Sequence, residues 1–123
     1  MKLTRLLTLL FASAALTTFA ADENHETLEK VMKEGLKGDD SPMAQVLNGS
    51  ASADATASLA KLIKTMAGTK APVGDQAAYD KKVTELIAAM DAVAGGDKGD
   101  AAISRLKTAQ NCKACHTDHK PKK

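Results

Sequence analysis

Apolar residues in this chain recur at intervals of three and four, and nowhere do they alternate with polar ones as a half-buried strand would require. From Asp22, the positions His25, Leu28, Val31, Met32, Gly35 and Leu36 share one helix face, and Gly38 predicts the end of that helix. Ser41 followed by Pro42 is a hydroxyl cap with proline at the first helical position, predicting a short helix through Leu47 that Asn48-Gly49 breaks. A longer segment, Ala53 to Ala67, carries Leu59, Leu62, Ile63 and Met66 on one side and stops at Gly68. The stretch GTKAPVG, Gly68 to Gly74, reads as a loop. Asp75 then caps a helix with Tyr79, Val83, Leu86, Ile87, Met90 and Ala94 on its face, ended by Gly95-Gly96. After the turn Asp97-Lys-Gly99, Asp100 caps a last helix whose face runs Ile103, Leu106, Ala109, Cys112, Cys115 and His116. The expected fold is all-α: four amphipathic helices on short links, an up-down-up-down four-helix bundle of the kind that holds cofactors between facing helices.

The beginning of the chain changes the picture of where it works. Met1-Lys-Leu-Thr-Arg5 is positively charged, Leu6 to Leu16 is apolar or small, and Thr18-Phe-Ala20 ends in a small residue suited to cleavage. Residues 1–20 therefore read as a secretory signal peptide, and residues 21–123 as one exported, periplasmic domain. The apolar run is too short, and too broken by Thr and Ser, to span a membrane.

Losing Lys2 and Arg5 with the leader removes two of the 17 Lys and Arg, leaving as many as the 15 Asp and Glu. A formally neutral domain without aromatic residues among its cations is no nucleic-acid binder. Tyr79 is the single aromatic residue after Ala20, so the core is made of Ala, Leu, Ile, Val and Met. Such side chains fill little volume and leave room for a large group.

Chemistry is concentrated near the end, in NCKACHTDH, Asn111 to His119, which holds both cysteines and two of the three histidines. A disulfide between Cys112 and Cys115 would close a loop so short that it removes little entropy from the unfolded chain. A thioredoxin-like redox pair belongs in a βαβ setting, which the pattern lacks. Four-ligand zinc would need further ligands, of which His25 and His119 are the obvious ones. The remaining reading of C-x-x-C-H is the attachment signal of c-type haem, with a structural disulfide or redox pair as the alternative. Two thiols add across the two vinyl groups on one side of the haem, and the adjacent imidazole reaches the iron. Cys112 and Cys115 are then the anchors of one covalent haem c per chain, and His116 is the proximal iron ligand. No constellation of acid, base or nucleophile accompanies them, so no enzymatic activity is expected.

A helical bundle with this motif late in the chain resembles the class II c-type cytochromes, the cytochrome c′ family, in architecture over the whole exported domain and in motif from Cys112 to Lys120. The resemblance implies thioether roles for Cys112 and Cys115, the proximal role for His116, and for Lys120 that of the basic residue four places after it. His119 departs from the family, which often has tyrosine there. Lys120 also reads as part of a solvated basic tail. The family supplies the group opposite His116 from its first helix, either a ligating methionine or a non-ligating apolar side chain. Met32-Lys33 resembles the Met-Lys of six-coordinate members. His25 is the rival, seven residues and about 10 Å away along the same face, and a simple antiparallel drawing sets it nearer the end of the last helix.

Two functions follow. A haem held by His116 and Met32 suits electron transfer with periplasmic redox proteins, because both redox states keep their ligands. An open iron instead suits binding of nitric oxide or carbon monoxide. Members of the family often dimerise through their first two helices, so the resemblance also leaves a homodimer open.

Overall fold

The computed structural model of the chain describes residues 19–122. It is built from α1 (Phe19–Val31) running into a π-helical turn (Met32–Leu36), then α2 (Pro42–Asn48), α3 (Ala53–Lys64), α4 (Gln76–Ala94), α5 (Asp100–Ala109) and α6 (Cys112–His119). No strand occurs among the described residues, so the all-α expectation holds. Residues 1–18 of the expected leader lie outside the described residues, and Phe19 and Ala20 open α1. Among the described residues no helix is long and apolar enough to cross a membrane.

Helix starts follow local side-chain chemistry. Ser41 Oγ accepts from the Ala44 amide at 3.1 Å, with Pro42 immediately inside the helix. Ser52 Oγ does the same for Ala55 at 3.1 Å, and an Asp75 carboxylate oxygen for Ala78 at 2.9 Å. Each such cap contributes about 1 kcal/mol by satisfying an amide the helix cannot. At α5 the expectation is corrected by one residue: Gly99 holds the cap position without a side-chain bond, and Asp100 is the first helical residue. Its carboxylate there faces the positive end of the helix dipole.

Both α3 and α5 pack along α4, and α2 is wedged among the π turn, α3 and α5. Val31, Met43, Ile63, Met90, Val93 and Leu106 are sealed from solvent at the centre. Gly35 lets the π turn lie against α3, since a Cβ there would stand 3.1 Å from methyls of both Leu59 and Leu62.

Two elements depart from the helical pattern. The first helix does not run α-helical to Gly38: the Lys37 amide donates to Met32 O at 2.9 Å, a five-residue step that closes the π turn, and Lys37 is then extended. An extra residue in that turn rotates the side chains on either side of it relative to an unbroken α-helix. The last helix is not continuous either. α5 ends at Ala109, and Asn111 is extended, its Oδ1 accepting from the Ala114 amide at 3.1 Å to cap a new helix. The face expected to run from Ile103 to His116 is therefore broken, with Leu106 buried and Cys112 and His116 exposed.

The loop from Gly68 to Gly74 is bound on several sides. Asn24 of α1 donates to Lys70 O at 3.0 Å and accepts from the Lys70 amide at 2.6 Å. Gln76 of α4 accepts from the Ala71 amide at 2.9 Å and donates to Thr69 O at 3.2 Å. The Tyr79 and Thr69 hydroxyls meet at 2.7 Å. These bonds take up backbone groups that no helix satisfies.

Gly74 closes the loop with φ of +86°, and a Cβ there would stand 2.5 Å from Asp118 O and 3.0 Å from His119 Nδ1. Gly49, at φ of +82°, has open space around the same position. Gly49→Ala is expected to cost about 1–2 kcal/mol for its left-handed backbone alone, and Gly74→Ala clearly more, because α6 must also move. Urea denaturation of the two variants checks this, and equal losses would show that α6 is not seated on Gly74.

Candidate functional site

A cavity of about 580 Å³ opens between α4, α5 and α6. Met32 and Leu36 of the π turn, Met66 beyond α3, Val83 and Leu86 of α4, and Ala109 of α5 give it walls that are chiefly apolar. Cys112, Cys115 and His116 of α6 line it too. Its size lies within the roughly 300–1,000 Å³ of small-molecule and cofactor sites. The charged lining groups are Lys81, Lys82, Glu85 and Arg105.

The sequence-predicted residues divide sharply. Cys112 and His116 are four apart and Cys112 and Cys115 three apart on one short helix, which puts all three on one side of it. Met32, far away in sequence, shares the cavity with them. His25 does not: its side chain is 82% exposed, lies 3.7 Å from Glu29 and lines no part of the cavity. Lys120, just beyond α6, is exposed and outside the lining, its amide donating to His116 O at 3.3 Å. Both cysteines are free thiols. Among the described residues no group of three or more His, Cys, Asp or Glu side chains is gathered around one point, so the ligand set considered for zinc is not assembled.

What orients α6 is a residue the sequence offered only as a departure. His119 is 3% exposed and is the one buried residue of α6. Its Nδ1 lies 3.0 Å from Val73 O, and a carbonyl can only accept, so Nδ1 carries the proton. That leaves Nε2 as an acceptor, 3.3 Å from Lys82 Nζ. The imidazole also stands edge-on to the Tyr79 ring, centroids 5.4 Å apart at 78°. Lys82 completes the seam: its ammonium reaches Asp118 Oδ2 at 2.7 Å and Ala114 O at 3.4 Å as well. Three donors on one nitrogen are thus matched to three acceptors on α6.

Charge and burial tune these groups in opposite senses. The Lys82 ammonium holds the Asp118 carboxyl below the usual range, as Arg105 does for Glu85 through bonds of 2.7 and 3.1 Å. Burial pushes the Cys115 thiol up, with nearby Lys82 only partly offsetting it. Burial likewise raises Tyr79, against the pull of its Thr69 bond.

The helical period could have found Tyr79 but not Lys82, which sits one place off the apolar face, nor His119, whose burial depends on a loop 46 residues earlier. The sequence does carry one hint, because Gly74 at the end of that loop is the residue that admits α6. Compared with protein-family models, curated proteins and solved structures, the chain matches none.

The raised Cys115 thiol gives a direct check on the geometry. Thiolate is the reactive form, and a raised pKa lowers its share at neutral pH. In the cofactor-free chain Cys112 is expected to be alkylated well before Cys115, with the Cys115 pH profile displaced upward from that of the urea-unfolded chain. Peptide mapping after timed iodoacetamide labelling reads both, and equal rates in the folded chain would contradict the burial of Cys115.

Proposed function

We propose that the chain is an exported c-type cytochrome of the class II, cytochrome c′-like kind, carrying one covalent haem and transferring electrons in the periplasm. In this reading α1 with its π turn, α3, α4, and α5 with α6 are the four members of an up-down-up-down bundle. One observation carries the proposal: the two thiols and the imidazole of C-x-x-C-H, and the thioether of Met32, line the same apolar cavity. That donor set suits haem, two thiols being available for attachment and one nitrogen and one sulfur for iron.

Bound there, haem supplies a one-electron ferric–ferrous couple. Cys112 and Cys115 would hold it by thioethers. His116 offers a ring nitrogen, and Met32 a soft, neutral sulfur that raises the potential. Leu36, Val83 and Leu86 give the walls an apolar surface, which would disfavour the more highly charged oxidised state of a haem held there. These groups would serve both redox states as they stand, which is the requirement for fast electron transfer. His25 drops out as the rival ligand in this reading, because it stands outside the cavity and paired with Glu29.

Attachment is tested by maturing the exported protein with a cytochrome c assembly system and extracting it with acid and organic solvent. Haem is expected to stay with the chain, and Cys112→Ala or Cys115→Ala to lower the holoprotein yield with at most one thioether left. Complete release of haem from the wild-type protein would sink the assignment.

Ligation by Met32 is tested by optical spectroscopy. The oxidised protein is expected to show the weak far-red methionine-to-iron band, and Met32→Ala to lose it, become high-spin and bind carbon monoxide when reduced. A wild-type protein that is already high-spin and takes up carbon monoxide would make Met32 a packing residue and the function gas binding.

A further inference from the structure

Sulfur is not spread evenly through this fold. Besides both cysteines, the described residues include Met32, Met43, Met66 and Met90. Met43 and Met90 are sealed in the core and line no part of the cavity, whereas Met32 and Met66 line it together with Cys112, Cys115 and His116. The π turn brings Met32, the end of α3 is followed closely by Met66, and α6 carries the thiols, so three separate segments bring sulfur to one chiefly apolar space. Hard donors are scarce there. Among the described residues that line the cavity Glu85 is the one carboxylate, and Arg105 engages both of its oxygens. Cys112 and Cys115 are three apart on a helix, so their side chains start about 5–6 Å from each other, close enough for both sulfurs to reach one ion between them. Cys112 is exposed and opens a path from solvent.

We propose that the haem-free chain binds a Cu(I) ion in this cavity, with Cys112 and Cys115 as thiolates and a thioether of Met66 or Met32 completing the donor set. Thiolate and thioether are soft donors that select Cu(I), whereas magnesium, calcium and manganese ask for carboxylates and carbonyls. Zinc asks for four ligands, and among the described residues the His, Cys, Asp and Glu side chains that would supply them are not gathered. Two thiol protons leave as two copper–sulfur bonds form. No electron is transferred, so the copper stays Cu(I). An attached haem uses the same two thiols, and the two occupants therefore exclude each other. The copper site goes beyond the cytochrome reading and does not require it.

The test uses the full exported chain produced without haem attachment, reduced and kept anaerobic, with Cu(I) delivered as its coloured bicinchoninate complex. One equivalent of copper is expected to pass to the chain, and its retention to strengthen as pH rises because protons are displaced. Cys112→Ala with Cys115→Ala is expected to abolish the transfer. Met66→Leu and Met32→Leu keep side-chain volume while removing sulfur, and the one that removes the ligating thioether is expected to lower the affinity by about tenfold or more, the scale on which even the partners of metal ligands act. Met43→Leu and Met90→Leu touch only core sulfur and are expected to change nothing. Copper that stays with the chelator overturns the proposal. So does undiminished affinity in the Met32→Leu, Met66→Leu double variant, because the thiols then act without the cavity. Displacement of the copper by about a tenfold excess of Zn(II) overturns the choice of a soft ion. A haem-free chain without helical circular dichroism overturns the site as well, since the cavity is then not formed. Copper taken up equally by haem-loaded protein would place the metal elsewhere, with the same consequence. Failure of the copper site leaves the cytochrome reading standing, and failure of haem attachment leaves the copper site standing.

Discussion

The seating of α6 on α4 depends on one ammonium and one imidazole. Lys82 gathers Ala114 O, Asp118 and His119 Nε2, while the other side of His119 is tied to Val73 O. Remove that seam and nothing else in α6 is buried. The cavity follows from the same arrangement, because α6 closes its wall through polar contacts at one edge rather than by filling the space with side chains. Had the last helix continued unbroken from α5, Cys112 and His116 would have followed the phase of Leu106 into the core. The Asn111 cap turns them to a separate face, where the walls are apolar and the rim is charged.

Much of this was legible in the residues themselves. The three-and-four spacing gave the helical segments, and Ser41, Pro42 and Asp75 marked starts that the structure keeps. Cys112, Cys115 and His116 could be singled out because their spacing is local, and Met32 because its helix face and its neighbour Lys33 drew attention to it. Legibility ended where one residue's conformation depends on a distant one. The π turn and the burial of His119 depend on other segments, α3 beside Gly35 and the loop at Val73, and a period measured within one segment carries no record of them; the break at Gln110-Asn111 is marked locally, by the Asn111 cap. His25 shows the converse: it shares a helical face with Met32 by spacing, whereas in the fold its side chain is exposed beside Glu29 and away from the cavity.

Small side chains give the fold its other constraint. With Tyr79 as the single aromatic residue after Ala20, the interior relies on flexible methionines and short aliphatics, which leave gaps more readily than rings do. Met66 sits at such a gap, only 3% exposed yet lining the cavity, and the half-buried Met32 of the π turn lines it too. The cavity beside α4, α5 and α6 is that gap, left where short and flexible side chains do not close the space.

The separate capping of α6 also bears on the order in which the chain assembles. Its ties to the body span 32 to 46 residues and are polar, whereas α3, α4 and α5 meet through contiguous apolar faces. Closing long loops for few buried contacts places α6 at the low end of local stability, so it is the last element to dock and the first to open. On the haem reading proposed above, an opening confined to that unit would present both thiols and His116 for attachment while the remaining helices stay folded. Maturation would then act on a nearly native substrate, and docking of α6 would be the step that commits it.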